Sequence, residues 1–303
     1  MASTSTTEKD TPARAEEGSY AGMKENAIIQ LGKGLTLYGW SMGSVSTGFF
    51  IPELRLLLDT ERRKPFEAEF VLVTHSHTDH IFGLPHRIMG ANPLVFIPQE
   101  SEQLVRDFVL ATFRMGFHDS KAEIKLNLRG VKPGQHHVLK NGFCAEVFDL
   151  DHSIPCRGYG IYEARTKLRE KYRMLDRKAI IALKSAGCSD LFEDIAYPRF
   201  AYLTDTTTTV FAKYGEEIFR YPYIITECTF LPCKTGTTEE SAECDALAEK
   251  ARHTSWGKIQ PIIDSHPKNT FILMHFSQRY SRADLCTFRD ATMETLKNIV
   301  FVI

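Results

Sequence analysis

Three imidazoles and a carboxylate fall within six positions of this chain. They belong to Thr74-His75-Ser76-His77-Thr78-Asp79-His80, which directly follows the apolar run Val71-Leu72-Val73. Such a cluster at a strand end is suited to holding metal. Side chains alternate along a strand, so His75 and His77 project to one side and can grip one ion. A helix beginning at Thr78 or Asp79 turns Asp79 and His80 to another azimuth, suited to a second ion. Imidazole and carboxylate donors favour zinc, with manganese or another divalent ion as the alternative.

Strands must carry these groups to one place. Short strands are predicted over Ala27–Gln30, Leu35–Tyr38, Thr47–Ile51 and Leu54–Leu58, then Phe70–Val73 and Leu94–Ile97. A helix over Ser101–Met115 follows, with further strands near Ile124–Leu128, Val138–Leu139, Cys144–Leu150 and Gly158–Tyr162. The charged stretch Lys167–Leu183 is predicted as helix. The last third alternates again: strands at Phe200–Leu203, Tyr223–Ile225 and Phe271–Met274, helices at Val210–Phe219 and Cys244–Arg252, and an apolar end, Ile299–Ile303. Strands, then mixed strands and helices, twice over, describe an α/β fold of two packed sheets under outer helices. One compact domain is expected over 25–303, behind a disordered tail, 1–24, that is rich in Ser, Thr, Ala, Glu and Lys.

Composition excludes several classes. With 43% hydrophobic and 25% charged residues, the chain is not mainly disordered. No apolar run reaches the roughly 18–20 residues that span a bilayer, so no membrane partner is expected. Thirty-seven basic against 38 acidic residues give a net charge of −1, so any polyanion must meet a local patch. Seven cysteines, odd in number and without a C-x-x-C pair, fit a reducing compartment: the cytosol, with the nucleus as the alternative. No third glycine completes a dinucleotide fingerprint around Gly32 and Gly34, and no Walker A sequence occurs.

The H-x-H-x-D-H pattern resembles the signature of the metallo-β-lactamase superfamily. The resemblance implies a four-layer αββα sandwich with its metal site at the sheet edge, and it implies where further ligands lie. His152 follows the run ending Asp149-Leu150-Asp151, Asp205 follows Ala201–Thr204, and His275 follows Ile272–Met274. The implied first zinc takes His75, His77, His152 and a shared Asp205, and the second takes Asp79, His80, Asp205 and His275. Two such ions activate water near pH 7 and can neutralise an attacked phosphoryl oxygen.

Neighbouring segments narrow the likeness. His152-Ser-Ile-Pro-Cys-Arg-Gly158-Tyr159, Glu227-Cys-Thr-Phe230, His253-Thr-Ser255 and His275-Phe-Ser277-Gln-Arg279-Tyr280 occur in this order. They resemble the short-form tRNase Z family, endoribonucleases of tRNA 3′ ends. The resemblance implies precursor tRNA or another RNA as substrate, a homodimer, and substrate contacts by Ser277, Arg279, Tyr280, Gly158 and Tyr159. It also implies His253 as the general acid with Glu227 holding its ring, so that Asp79, His253 and Glu227 make up the catalytic set.

Three departures stand out, one being Thr204-Asp205-Thr206 where the family has Gly-Asp-Thr. Asp59-Thr60-Glu61-Arg62-Arg63 replaces the family's Cys-Gly-Glu-Gly-Thr-Gln run, and no Gly/Pro-rich arm is found after Gly158-Tyr159. In its place lies a stretch with Arg165, Lys167, Arg169, Lys171, Arg173, Arg177, Lys178 and Lys184, read as a seat for RNA phosphates. The alternative activity is hydrolysis of a smaller phosphodiester or thioester on the same metal core. A non-catalytic scaffold would have no need of seven ligands.

Overall fold

The computed structural model describes residues 16–17, 27–61 and 67–303. The expected tail, 1–24, lies outside the described residues except for Glu16–Glu17, which pair as β1 with the next strand.

Among the described residues, the first sheet has eight strands in chain order. They are β1 (Glu16–Glu17), β2 (Ala27–Gln30), β3 (Thr36–Met42), β4 (Ser46–Ile51), β5 (Leu56–Leu58), β6 (Phe70–Leu72), β7 (Leu94–Pro98) and β8 (Leu128–Val131). Pairing is antiparallel up to β5 and parallel from β5 to β8. Helices α1 (Thr78–Ile81), α2 (Leu84–Ala91) and α3 (Glu102–Phe117) cover its outer face.

The second sheet runs, in chain order, through β9 (His136–Val138), β10 (Phe143–Leu150), β11 (Cys156–Leu168), β12 (Phe192–Leu203), β13 (Tyr223–Glu227), β14 (Thr270–Met274) and β15 (Ile299–Phe301). Its helices are α4 (Arg177–Ser185), α5 (Thr209–Tyr214), α6 (Glu216–Phe219), α7 (Thr238–Ala251), α8 (Trp256–Ser265) and α9 (Arg282–Thr295).

The period of two sorts these strands into layers. Phe200 and Tyr202 of β12, with Ile272 and Met274 of β14, meet Ile29, Leu37, Phe49 and Phe96 between the sheets. Their neighbours Ala201, Leu203, Phe271 and Leu273 point the other way, into a second core with Val210, Ile259 and Ile263 of the helices. A third cluster seats Ile81, Leu84, Val105 and Val109 on Val71, Val73 and Val95. Helix, sheet, sheet, helix is the order the sequence implies.

Several elements differ from expectation. Pro52 opens a 3-10 turn over Pro52–Leu54, so the strand starts only at Leu56. Ile124 and Leu126 pack beneath α3 from a loop, and β8 begins at Leu128. Gly215, at φ 43°, divides the helix expected over 210–219 into α5 and α6.

The charged stretch from Lys167 is not one helix. Past Glu163, where pairing with β10 ends, β11 continues against β12 as a two-stranded ribbon from Ala164↔Ala196 to Leu168↔Phe192. Cross-strand contacts favour it: the cations of Arg165 and Lys167 lie 5.5 and 4.9 Å from the Tyr197 ring centre, and Thr166 donates to Asp194 at 2.7 Å. A 3-10 turn and α4 follow. The chain thus has a projecting arm of strand and helix where a Gly/Pro-rich one was sought.

Strand direction builds the functional edge. β12, β13 and β14 are parallel, and β10 shares their direction through two antiparallel steps across β11. All four therefore end at one edge, the usual place for a site in such a sheet. The end of β6 is tied to it, because Arg157 N donates to Thr74 O at 2.9 Å and the Tyr159 hydroxyl to Val73 O at 2.7 Å.

Candidate metal centre

Four strand ends bring the sequence-selected groups together. His75 and His77 follow β6, and His77 caps α1, whose first turn carries Asp79 and His80. His152 follows β10, Asp205 follows β12, and His275 follows β14 at a left-handed φ of 63°. His75 Nε2 lies 3.0 Å from His77 Nδ1, which lies 3.2 Å from His152 Nε2. On the other side His80 Nε2 and His275 Nε2 are 3.4 Å apart, and Asp79 Oδ2 is 3.6 and 3.4 Å from them. Thr204 Oγ1 donates to Asp205 Oδ1. The other oxygen, Oδ2, faces both groups: 3.8 Å from His75 Nε2, 3.5 Å from His80 Nε2 and 3.4 Å from His275 Nε2.

The outward nitrogens decide what the inward ones are. His80 Nδ1 donates to the buried Asp59 carboxylate at 2.9 Å, and His152 Nδ1 to the Arg252 carbonyl at 3.0 Å. Thr74 gives its hydroxyl hydrogen to Asp59, so its oxygen accepts from His75 Nδ1 at 3.0 Å. Thr229 gives its own to Glu227 and accepts from His275 Nδ1 at 3.1 Å. In each ring Nδ1 holds a proton on its outward bond, so Nε2 is the nitrogen turned inward to meet a cation.

Inward nitrogens 3.4 Å apart need a cation between them, a proton or a metal ion. The spacing also fits one, since zinc–nitrogen bonds of about 2.0–2.1 Å imply tetrahedral edges of about 3.3–3.4 Å. The donor set therefore suits a divalent ion at each group.

Charge agrees with this. Burial, reinforced by the neighbouring imidazoles, holds His75 well below the usual histidine range and hence neutral. Burial opposes charge on His80 and Asp205 too, but opposite partners win. Asp205 and Asp59 raise His80 well above the usual histidine range, so that without metal its Nε2 holds a proton which an ion would displace, while His275 and His80 hold Asp205 well below the carboxylate range. The pocket keeps its carboxylate ionised and asks for positive charge beside it.

His253, in the turn between α7 and α8, stands apart from this set. It lies near enough to Asp205 and His152 to be weighed as a donor. Its Nδ1, however, is 3.0 Å from both oxygens of Glu227, the last residue of β13. Burial would lower its pKa, but the Glu227 carboxylate raises it to about 9. The ring is thus a cation near neutral pH, with Nε2 left to carry a proton.

Of the residues expected to touch RNA, some serve the fold. Tyr159 is fully buried, and its hydroxyl reaches only back to Val73 O. A Cβ on Gly158 would come within 2.8 Å of the Leu203 side chain, so this glycine is required by packing. Tyr280 is buried, and its hydroxyl accepts from Leu231 N at 2.9 Å. Ser277 is half-buried and Arg279 exposed, with the Arg279 guanidinium 4.9 Å from the Phe230 ring centre. On the arm, Arg165 is paired with Glu163 and Arg169 with Asp190 at 3.1 Å, whereas among the described residues no ion pair engages Lys167, Arg177, Lys178 or Lys184.

Three positioning residues escaped the sequence reading. Asp59 accepts from Thr74 N at 2.8 Å, from His80 and from the Tyr202 hydroxyl at 2.8 Å. Its signal was the one used elsewhere, a polar residue closing an apolar strand. Thr229 has no such signal. Arg252 offers its carbonyl to His152 and its guanidinium to His152 O at 3.1 Å and to Asp151 at 2.7 Å. The departing segment after β5 is also used: Thr60 binds the His80 carbonyl at 2.9 Å through both N and Oγ1, and Glu61 accepts from Gly83 N. Arg62 and Arg63 lie outside the described residues.

No protein-family model matches the chain. It is 29% identical over 251 residues to the chloroplastic tRNase Z TRZ2 of Arabidopsis thaliana, covering 80% of this chain and 67% of that one. It is 30% identical over 238 residues to ribonuclease BN of Salmonella paratyphi B, covering 71% and 73% of the two chains. Among solved structures it resembles the metallo-beta-lactamase fold protein YhfI of Bacillus subtilis, with a TM-score of 0.50 at 12% identity over 87% of this chain and 94% of that one. That likeness shows the fold alone. By sequence, the chain belongs to the ribonuclease Z family, whose members are named tRNase Z and ribonuclease BN.

Proposed function

We propose that this chain is a dizinc endoribonuclease that cuts the 3′ trailer from precursor tRNA and leaves a 3′-hydroxyl. The observation that carries the reading is Asp205 Oδ2, one buried oxygen facing both groups of inward imidazole nitrogens. His75, His77, His152 and Asp205 would hold one ion, and Asp79, His80, His275 and Asp205 the other. Such a pair supplies Lewis acidity at the phosphoryl group and activates water at neutral pH.

The chain's own groups do the rest. In-line displacement expels the ribose 3′-oxygen, which needs a proton. His253 donates it from Nε2, while Glu227 holds Nδ1, orients the ring and keeps it charged. Glu227 accepts in addition from Thr206 N at 2.6 Å, Thr254 N at 3.1 Å and Thr229. One buried carboxylate therefore fixes the acid, the loop of Asp205 and the orientation of His275 together.

The arm supplies charge for RNA phosphates through Lys167, Arg177, Lys178 and Lys184. We assign a homodimer to the outer helices. Leu104, Phe108 and Met115 form a stripe on α3, beside Phe82, and Leu104 and Met115 are 70% and 74% exposed. The compartment we assign is the cytosol, with the nucleus as the alternative. All seven cysteines are free, as in a reducing environment, and no described helix is long and apolar enough to cross a membrane.

His253→Ala should keep its metal content while kcat on precursor tRNA falls by about 100-fold or more. On bis-p-nitrophenyl phosphate, whose leaving group needs no proton, the loss should be far smaller. Missing metal, or equal loss on both substrates, would remove His253 from the acid role.

Changing Lys167, Arg177 and Lys178 together to Ala should raise KM for precursor tRNA. It should also flatten the slope of log affinity against log salt by about two to three units. An unchanged slope would show that the arm does not meet phosphate. Leu104→Glu with Met115→Glu should convert a dimer to monomer in sedimentation, and an unchanged assembly would refute the α3 interface.

A further inference from the structure

A cavity of about 160 Å³ opens between β3 and the start of α9, walled in part by Trp40, Met42, Phe276, Tyr280, Arg282 and Leu285. Both walls continue into the candidate metal centre. Phe276 follows His275. Met42 precedes Gly43, whose N donates to Phe276 O at 3.0 Å, and Ser44 N donates to Asp79 Oδ2 at 2.9 Å. The two wall segments are thus continuous in the chain with those that carry His275 and hold Asp79.

Its size and lining restrict the occupant. A cavity of about 150 Å³ lined by apolar side chains takes one benzene-sized ring, whereas whole small ligands occupy about 300–1,000 Å³. The polar atoms of the wall are mostly engaged elsewhere, with the Tyr280 hydroxyl on Leu231 N and Ser41 Oγ on Thr47 Oγ1 at 3.0 Å. Rings and methylenes face the space. Arg282, exposed and part of the wall, and Arg279, three residues before it, bring positive charge to this edge. A flat ring attached to a polyanion matches both features.

We propose that this cavity receives one unstacked nucleobase of the RNA strand next to the scissile phosphate. The proposal rests on the ribonuclease reading above. Single-stranded RNA is commonly read in this way, by bases splayed out against aromatic side chains, and each such contact is worth a sizeable factor in binding.

The test scans single abasic nucleotides through four positions on each side of the cleavage site, with wild type and Trp40→Ala. One position should raise KM for wild type by roughly five- to hundred-fold. The same abasic site should have little further effect in Trp40→Ala. Metal content and thermal unfolding check that the variant is folded. Met42→Phe, which narrows the space, is the second variant and should penalise a purine at that position more than a pyrimidine. Uniform tolerance of abasic sites by wild type, or equal sensitivity in both variants, overturns the cavity assignment while leaving the nuclease reading intact. Failure of wild type to cut any precursor, with turnover of a small diester, overturns both.

Discussion

Imidazole can bind a metal ion only through a nitrogen free to give up its proton, and the architecture around this site turns four Nε2 atoms inward for that role. His75, His80, His152 and His275 each place their proton on an outward bond, to Thr74, Asp59, the Arg252 carbonyl and Thr229. Lone pairs packed at such short range are tolerable only if positive charge joins them. The outward bonds thus leave a site already shaped for metal.

Two buried carboxylates enforce that arrangement, and Asp59 also joins the sheets. Asp59, from β5, takes hydrogen bonds from Thr74 and His80 in its own half and from Tyr202 in the other. Glu227, from β13, takes them from Thr206, Thr229, His253 and Thr254. An unpartnered buried carboxylate costs several kcal/mol, about 3–5 when one partner of a buried pair is lost. The geometry of the site and the docking of the layers are thus one set of interactions.

Much of the site was legible because its parts sit where apolar runs stop. Val73, Leu150, Leu203 and Met274 each lead within a few residues into a histidine or aspartate of the centre, and the parallel strands carry these ends to one edge. Asp59 carried the same mark after Leu56–Leu58, but its partner His80 lies 21 positions on, and no spacing rule says which groups meet. Arg252 works largely through its carbonyl, which side-chain identity does not advertise. The arm was misread because dense charge suggests a solvated helix. Its strands are fixed instead by Tyr197 and Asp194 across the ribbon, and half of its cations prove to be paired with Glu163, Glu170 and Asp190.

The shared oxygen of Asp205 is the most exacting part of this account. Crystals grown with zinc, with anomalous scattering recorded at the zinc edge, address it directly. Two peaks per chain are predicted, one among His75, His77 and His152 and one among Asp79, His80 and His275, each in contact with Asp205. A single peak, or a peak bound by His253 in place of His152 or His275, would contradict it.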